Sequence, residues 1–141
     1  IILLMKSKDK NIVYFLTICI DIFLIGLLLF HKIKTKFDFI YILLILLTHC
    51  IFLYSIYYNI TNLIDLTHIC IPISICISVF LDSFYLKFIN LLLLIVIQFS
   101  WYIFGGCIIS FSFSKGNLLI PYWTAVLWTL VLTYNLYHPL T

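Results

Sequence analysis

The sequence lacks two charged residue types altogether and carries little charge of any kind. Arginine and glutamate are absent, and Ala125 is the only alanine. Charged residues make up 9% of the 141 positions and hydrophobic residues 65%, whereas a typical soluble domain is about 25% charged and about 45–50% apolar. A water-soluble core of this size cannot enclose so much apolar surface. The composition therefore predicts that lipid is the solvent for most of the chain.

Alanine, glycine and proline, whose codons begin with two G or C bases, are all scarce. The sequence has four glycines and three prolines beside its single alanine. An A/T-rich coding sequence is the simplest explanation of this bias. Organelle genomes of protists, AT-rich nuclear genomes and some large DNA viruses have such coding sequences.

The small number of polar residues also excludes several classes of function. Five membrane spans of about 20 residues each would use about 100 positions, which leaves only short connections. A soluble catalytic or binding domain does not fit, so we expect no enzyme, no catalytic residue and no cofactor. A stator helix of the rotary ATP-synthase type requires a membrane arginine, and the proton-channel subunits of respiratory complex I require glutamates. The sequence has neither residue, so neither class of protein is expected.

Five apolar runs are each long enough to cross a bilayer as a helix. Their β-branched and aromatic residues would favour strands in water, but in lipid an isolated strand leaves its backbone groups unsatisfied. The runs are apolar on every side, whereas the strands of a β-barrel alternate. The candidate spans are 12–30, 39–58, 63–81, 88–109 and 118–137.

The predicted fold class is an all-α integral membrane protein. We expect a single domain over residues 1–141, built as a bundle of about five transmembrane helices. The third run is the weakest because Asp65, His68 and Pro72 interrupt it. Four spanning helices with a re-entrant third segment are therefore the alternative. The first run contains Asp21 and has no small-residue cleavage site after it, so we expect it to be a retained helix and not a signal peptide.

The lysines indicate which molecules lie at the ends of the helices. The net charge of +3 comes from eight lysines and five aspartates. Two lysine clusters, at 6–10 and 32–36, lie directly beside apolar runs, so phospholipid headgroups are the expected partner and nucleic acid is not. A five-span topology places four lysines on each side, and the positive-inside rule then gives no orientation.

Cysteine, histidine and aspartate do not form a recognisable metal site. The five cysteines lie inside apolar runs without a C-x-x-C pair, which is typical of small buried residues. Asp65 and His68 stand three residues apart on one helical face, but two ligands do not make a zinc site. The four histidines fall at different predicted depths, which argues against a bis-histidine haem. We expect no metal.

Asp21 and His49 are the most informative residues, because each lies near the middle of its predicted span. Ionisable residues at membrane depth usually face the interior of a bundle and are often functional. The short link at 31–36 makes the first two spans antiparallel neighbours, so the two side chains should meet at similar depth. The two residues are predicted to form a neutral hydrogen-bonded pair, to contact a partner subunit, or to be the centre of a conducting pathway.

A stripe of small and polar residues follows one face of the third span. Such spacing lets helices approach closely and hydrogen-bond to each other, so we predict an inward packing face. Gln98 and Gly105 suggest a second such face on the fourth span. The packing stripe consists of Thr67, Cys70, Ser74 and Ser78.

In general character, the chain resembles the small hydrophobic subunits encoded by divergent mitochondrial genomes. No family motif gives this resemblance a specific name. The sequence has no extramembrane domain, no convergent catalytic cluster and an aromatic-rich surface suited to packing against lipid and other helices. We therefore expect a structural or accessory subunit of a multi-subunit complex, in a protist respiratory chain of the mitochondrial inner membrane, with other membrane subunits and phospholipids as partners. The alternatives are a membrane protein of a large DNA virus particle, and a small carrier or proton-conducting protein that uses Asp21 and His49.

Overall fold

The described part of the fold is helical, and short connections join its first four helices. The computed structural model describes residues 7–30, 32–104 and 119–138. These residues form five α-helices and one 3₁₀ turn, with no strand among them, so the predicted all-α class is confirmed. The elements are α1 (Ser7–Leu29), α2 (Lys36–Tyr58), α3 (Thr61–Ile77), a 3₁₀ turn (Ser78–Phe80), α4 (Phe84–Phe104) and α5 (Leu119–Tyr137).

Among the residues that the structure describes, four helical stretches are long and apolar enough to cross a membrane, which makes the chain an integral membrane protein. They are 10–29, 36–58, 61–80 and 84–103. The last helix, α5, has 19 residues.

The third span is more regular than its sequence suggests. It is one α-helix over Thr61–Ile77 that includes Pro72 and continues as the 3₁₀ turn. The described chain therefore has a full-length third helix in place of the re-entrant alternative. Proline is tolerated in membrane helices because neighbouring groups and local 3₁₀ adjustments satisfy the freed backbone.

The first four helices begin earlier than the apolar runs, because their first turns accept polar residues. The second helix starts at Lys36, three residues before the predicted boundary, where the Thr35 hydroxyl accepts a hydrogen bond from the Asp38 N–H at 3.2 Å. A threonine N-cap with an acidic residue in the first turn satisfies free N–H groups and complements the helix dipole. The predicted end of the fourth span at 105–109, the loop at 110–117 and Gly105 lie outside the described residues.

Three hydrophobic clusters hold the helices together. The first joins α1 and α2 to the segment before α4, and the second joins α3 and α4 to α5. The third lies at the opposite end of the first two helices and includes the start of α3. Their fully buried members, which are at most 2% exposed, are Leu24, Ile42, Ile56, Leu81, Leu86 and Leu132.

Each span buries only a minor part of its surface within the chain. In each of the four spans, between 22% and 28% of the residues are buried within the chain. The first helix packs mainly on α2, while α2 packs on α3 and α4 packs on α5. Most of the apolar surface therefore faces whatever surrounds the chain, whether lipid or other proteins.

Candidate functional site

The structure brings Asp21 and His49 together at the seam between α1 and α2. The His49 Nδ1 atom lies 2.6 Å from Asp21 Oδ1, and each side chain is 18% exposed. Asp21 stands eight residues before the end of its span at Leu29, about 12 Å along the helix axis. The pair thus lies well inside the predicted hydrocarbon layer.

Two further contacts fix the antiparallel register of this seam. The Tyr14 hydroxyl donates to the Leu53 carbonyl at 3.2 Å. Closer to the end of the helices, the Lys10 ammonium donates to the Asn59 amide oxygen. In each contact a residue further toward the N-terminus of α1 meets one further along α2. The short link between the helices produces this register, as the sequence predicts.

Hydroxyl groups near the pair are occupied elsewhere. The Thr17 hydroxyl donates to the carbonyl of Val13 at 2.9 Å, and the Thr48 hydroxyl donates to that of Leu44 at 2.8 Å. Within the described ranges, Asp21 Oδ2 and His49 Nε2 have no hydrogen-bond partner. The pair is therefore connected internally by one short hydrogen bond and is open on its outer side.

Most of the predicted packing stripe faces inward. Thr67, Ser74 and Ser78 are buried, while Cys70 is half-buried. The three hydroxyls donate to carbonyls of their own helix at 2.6–2.8 Å. The side chains of the stripe therefore occupy little space between the packed helices, and their hydroxyl groups are hydrogen-bonded to nearby carbonyls of the same segment.

Asp38 is a site that sequence reasoning missed. It is 1% exposed, and its carboxylate accepts hydrogen bonds from the backbone N–H groups of Asp82 at 3.1 Å and Ser83 at 2.9 Å. These two residues directly precede α4, so a carboxylate from α2 caps the N-terminus of a helix distant in sequence. Lys87, in the first turn of α4, is 4% exposed and is attracted by Asp82 and Asp38.

A buried polar network ties α2, α3 and α4 together a short distance from this cap. The Tyr41 hydroxyl donates to Asn90 Oδ1 at 2.9 Å and also approaches the Ser74 carbonyl at 3.2 Å. The Asn90 amide then donates to the Leu86 carbonyl at 2.8 Å. Tyrosine hydroxyls usually have a hydrogen-bond partner when they are buried. Asn90, a polar residue inside an apolar run, is the sequence feature that could have predicted this network.

Gln98 connects α4 to α5. Its amide nitrogen donates to Thr129 Oγ1 at 2.5 Å and lies 3.3 Å from the Ala125 carbonyl. The Thr129 hydroxyl itself donates to the Ala125 carbonyl at 2.9 Å. A single amide therefore makes the interhelical polar contact here, on the face that the sequence predicted for α4.

The chemistry available at these sites is limited. Among the residues that the structure describes, no three histidine, cysteine or acidic side chains come close enough to hold a metal ion. No protein family, curated protein or solved structure matches the sequence. The functional argument therefore rests on the arrangement of polar groups, above all on the open Asp21–His49 pair.

Proposed function

We propose that the chain is a structural or accessory subunit of a multi-subunit membrane complex. The observation that carries this proposal is the half-enclosed Asp21–His49 pair, because polar atoms left open at mid-span are costly in hydrocarbon. A neighbouring subunit that covers this seam would satisfy them. The low burial of every span, at 22–28% of the residues, is consistent with the same arrangement.

The finer proposal is an accessory subunit of a protist respiratory chain in the mitochondrial inner membrane. Two features support it: the A/T-biased composition and the restriction of the described structure to helices with short links. A membrane protein of a large DNA virus particle is the competing assignment, since it would share both features. The identity of the partner chains separates the two.

The test is purification of the tagged protein from its native membrane in a mild detergent. Measurement of the particle mass, followed by mass spectrometry of the co-purifying chains, should give a stable assembly of several different proteins. Respiratory subunits among them would support the finer proposal, and capsid proteins would support the viral one. A monodisperse particle that contains only this chain would refute the subunit proposal.

A proton-conducting protein is the second candidate, and the 2.6 Å contact between Asp21 and His49 favours it. Two titratable groups joined by one hydrogen bond could pass a proton between them. Purified protein in liposomes should then dissipate a pH gradient, and Asp21→Asn should abolish the flux because an amide does not titrate at neutral pH. Equal flux in empty liposomes and in those with wild-type protein would refute this candidate.

Phospholipids are the proposed partner of the link between α1 and α2. Lys32, Lys34 and Lys36 are exposed there, and none forms an ion pair within the described part of the chain. The nearby Asp38 is 1% exposed, and its carboxylate is bonded to the backbone N–H groups of Asp82 and Ser83. Native mass spectrometry should detect anionic lipid retained by the wild type and less of it after all three lysines are changed to glutamine.

A further inference from the structure

We infer that the Asp21–His49 pair is a docking point for a transmembrane helix of another subunit, one that presents a side-chain amide or hydroxyl at mid-membrane depth. This inference rests on the proposed subunit function and names the chemistry of the contact. It starts from the open atoms of the pair. Asp21 Oδ2 and His49 Nε2 have no partner among the described residues, and each side chain is 18% exposed.

The protonation of the pair decides what the open side offers. A net charge at this depth is unfavourable, so the pair holds either an aspartic acid with a neutral histidine or a carboxylate with an imidazolium. In the first form the acid donates to Nδ1, and the histidine proton is therefore on Nε2. In the second form both ring nitrogens carry protons. Either way, His49 Nε2–H points outward as a donor.

The partner must therefore supply an acceptor oxygen for this N–H. The hydrocarbon interior contains no water to do so. The open Asp21 Oδ2 is an acceptor beside the donor, so a group with both functions fits best. A carboxamide or a hydroxyl of a partner helix has both, and such groups do bond across helices in membranes.

The position of Asp21 on its helix shows where the partner would lie. Thr17 and Leu24, on one side of Asp21, are buried against α2 and its neighbours at 7% and 2% exposure. Ile18 and Ile25, on the other side, are 47% and 44% exposed. The pair thus lies at the margin between a packed stripe and an open apolar stripe of α1. A helix packed on the open stripe would reach the polar pair at its edge.

The alternative is that the pair only joins α1 to α2, and a double replacement separates the two roles. Removing both members of a hydrogen-bonded pair in favour of apolar groups can be nearly neutral for the chain itself. The double variant Asp21→Leu with His49→Phe should therefore keep its helical structure. It should nevertheless lose the partner, because no donor remains at the docking point.

The experiment measures partner retention in the native complex, by mass spectrometry and by dilution of the solubilised particle. The double variant should bind the partner about 3-fold to 20-fold more weakly, which is the range of interhelical hydrogen bonds in membranes. Asp21→Asn should bind like wild type, since its N–H donates to Nδ1 and keeps the proton on Nε2. Thr48→Val is the matched control, because that hydroxyl already bonds within α2, and it should change nothing.

Different outcomes refute the docking inference and the proposed function. Wild-type affinity in the double variant, within an intact complex of several chains, would overturn the docking point and leave the subunit function standing. A wild-type particle that contains only this chain would overturn both. Equal losses in the double variant and in Thr48→Val would also overturn the docking point, because a change confined to α2 would then have the same effect.

Discussion

The polar side chains around Asp21 on α1 and those around the start of α4 differ in how completely they are hydrogen-bonded within the chain. Around the start of α4, Asp38 has both carboxylate oxygens occupied, and Tyr41 and Asn90 satisfy each other inside the bundle. On α1, Asp21 meets a single partner and stays 18% exposed. Both regions bring an aspartate and a neighbouring segment together, yet only Asp38 has both carboxylate oxygens hydrogen-bonded within the described chain.

This difference distinguishes polar groups that stabilise the fold of the chain itself from polar groups that are available to bind another molecule. A closed network gains its stability from partners in the same chain, so its loss should appear in the folding of the isolated protein. An open pair gains the rest of its hydrogen bonding from outside, so its loss should appear in association. The following changes test the closed side of the comparison by the free energy of unfolding in detergent micelles, where the partner is absent.

The largest effect is expected for Asp38→Leu. It removes an acceptor from two backbone N–H groups at the start of α4, and hydrogen bonds to a charged group contribute about 1.5–3 kcal/mol each. We expect a loss of about 3 kcal/mol, measured by circular dichroism during SDS titration. The variant Lys34→Gln, at an exposed position of the link before α2, is the control and should stay within about 0.5 kcal/mol of wild type. A loss no larger than that of the control would mean that the cap is not closed.

Ser78→Leu should follow, at about 2 kcal/mol. Ser78 is 0% exposed in the structure, and extra bulk in a packed interior typically costs about 1–3 kcal/mol. The same replacement at the half-buried Cys70 should have a smaller effect in the same titration. If the two variants unfold at the same SDS concentration as wild type, the stripe faces lipid and not the neighbouring helices.

Tyr41→Phe should lose about 1 kcal/mol. The ring remains, so the change isolates the hydroxyl that bonds Asn90, and removing one neutral partner typically costs about that much. The double variant with Asn90→Leu should be less destabilised than the sum of the two single variants, because neither partner is then left unpaired. Simple additivity in this cycle would contradict the network.

Gln98→Leu should have the smallest effect, near the average of about 0.6 kcal/mol for interhelical polar contacts in membranes. The change breaks the contact with Thr129 on α5 but leaves that threonine bonded to the Ala125 carbonyl. Gln98→Asn, with a shorter side chain, should fall between wild type and Gln98→Leu. A loss above 2 kcal/mol would indicate that α4 and α5 depend on this amide, and that their boundary is as closed as the Asp38 region.

The sequence could predict the open pair but not the closed network, for a physical reason. Asp21 and His49 are ionisable residues inside apolar runs, joined by a link too short to allow any arrangement but antiparallel neighbours. Asp38 stands at the start of a run beside lysines, where an aspartate is normally solvated. Its two bonds go to backbone N–H groups more than forty residues away, and only the tertiary fold, which brings the start of α2 to the segment before α4, creates them.

The fold itself was largely predictable, because backbone satisfaction in lipid leaves few options. The helical class and the approximate span positions follow from composition alone. The helix starts were less predictable, since capping by Thr35 moves the start of α2 into polar sequence, whereas its end at Tyr58 matches the prediction. The third span was underestimated because Asp65, His68 and Pro72 interrupt its apolar run, yet one helix continues through all three.

The connection between α2 and α3 has a consequence for biogenesis. Asn59 takes a left-handed conformation with φ of 55°, and α3 begins two residues later at Thr61. Two residues span at most about 7 Å, far less than the hydrocarbon thickness of about 30 Å. The start of α3 is therefore held at the membrane face where α2 ends. Such a tight hairpin presents both spans to the insertion machinery together, so we expect the two helices to enter the bilayer as one unit during synthesis.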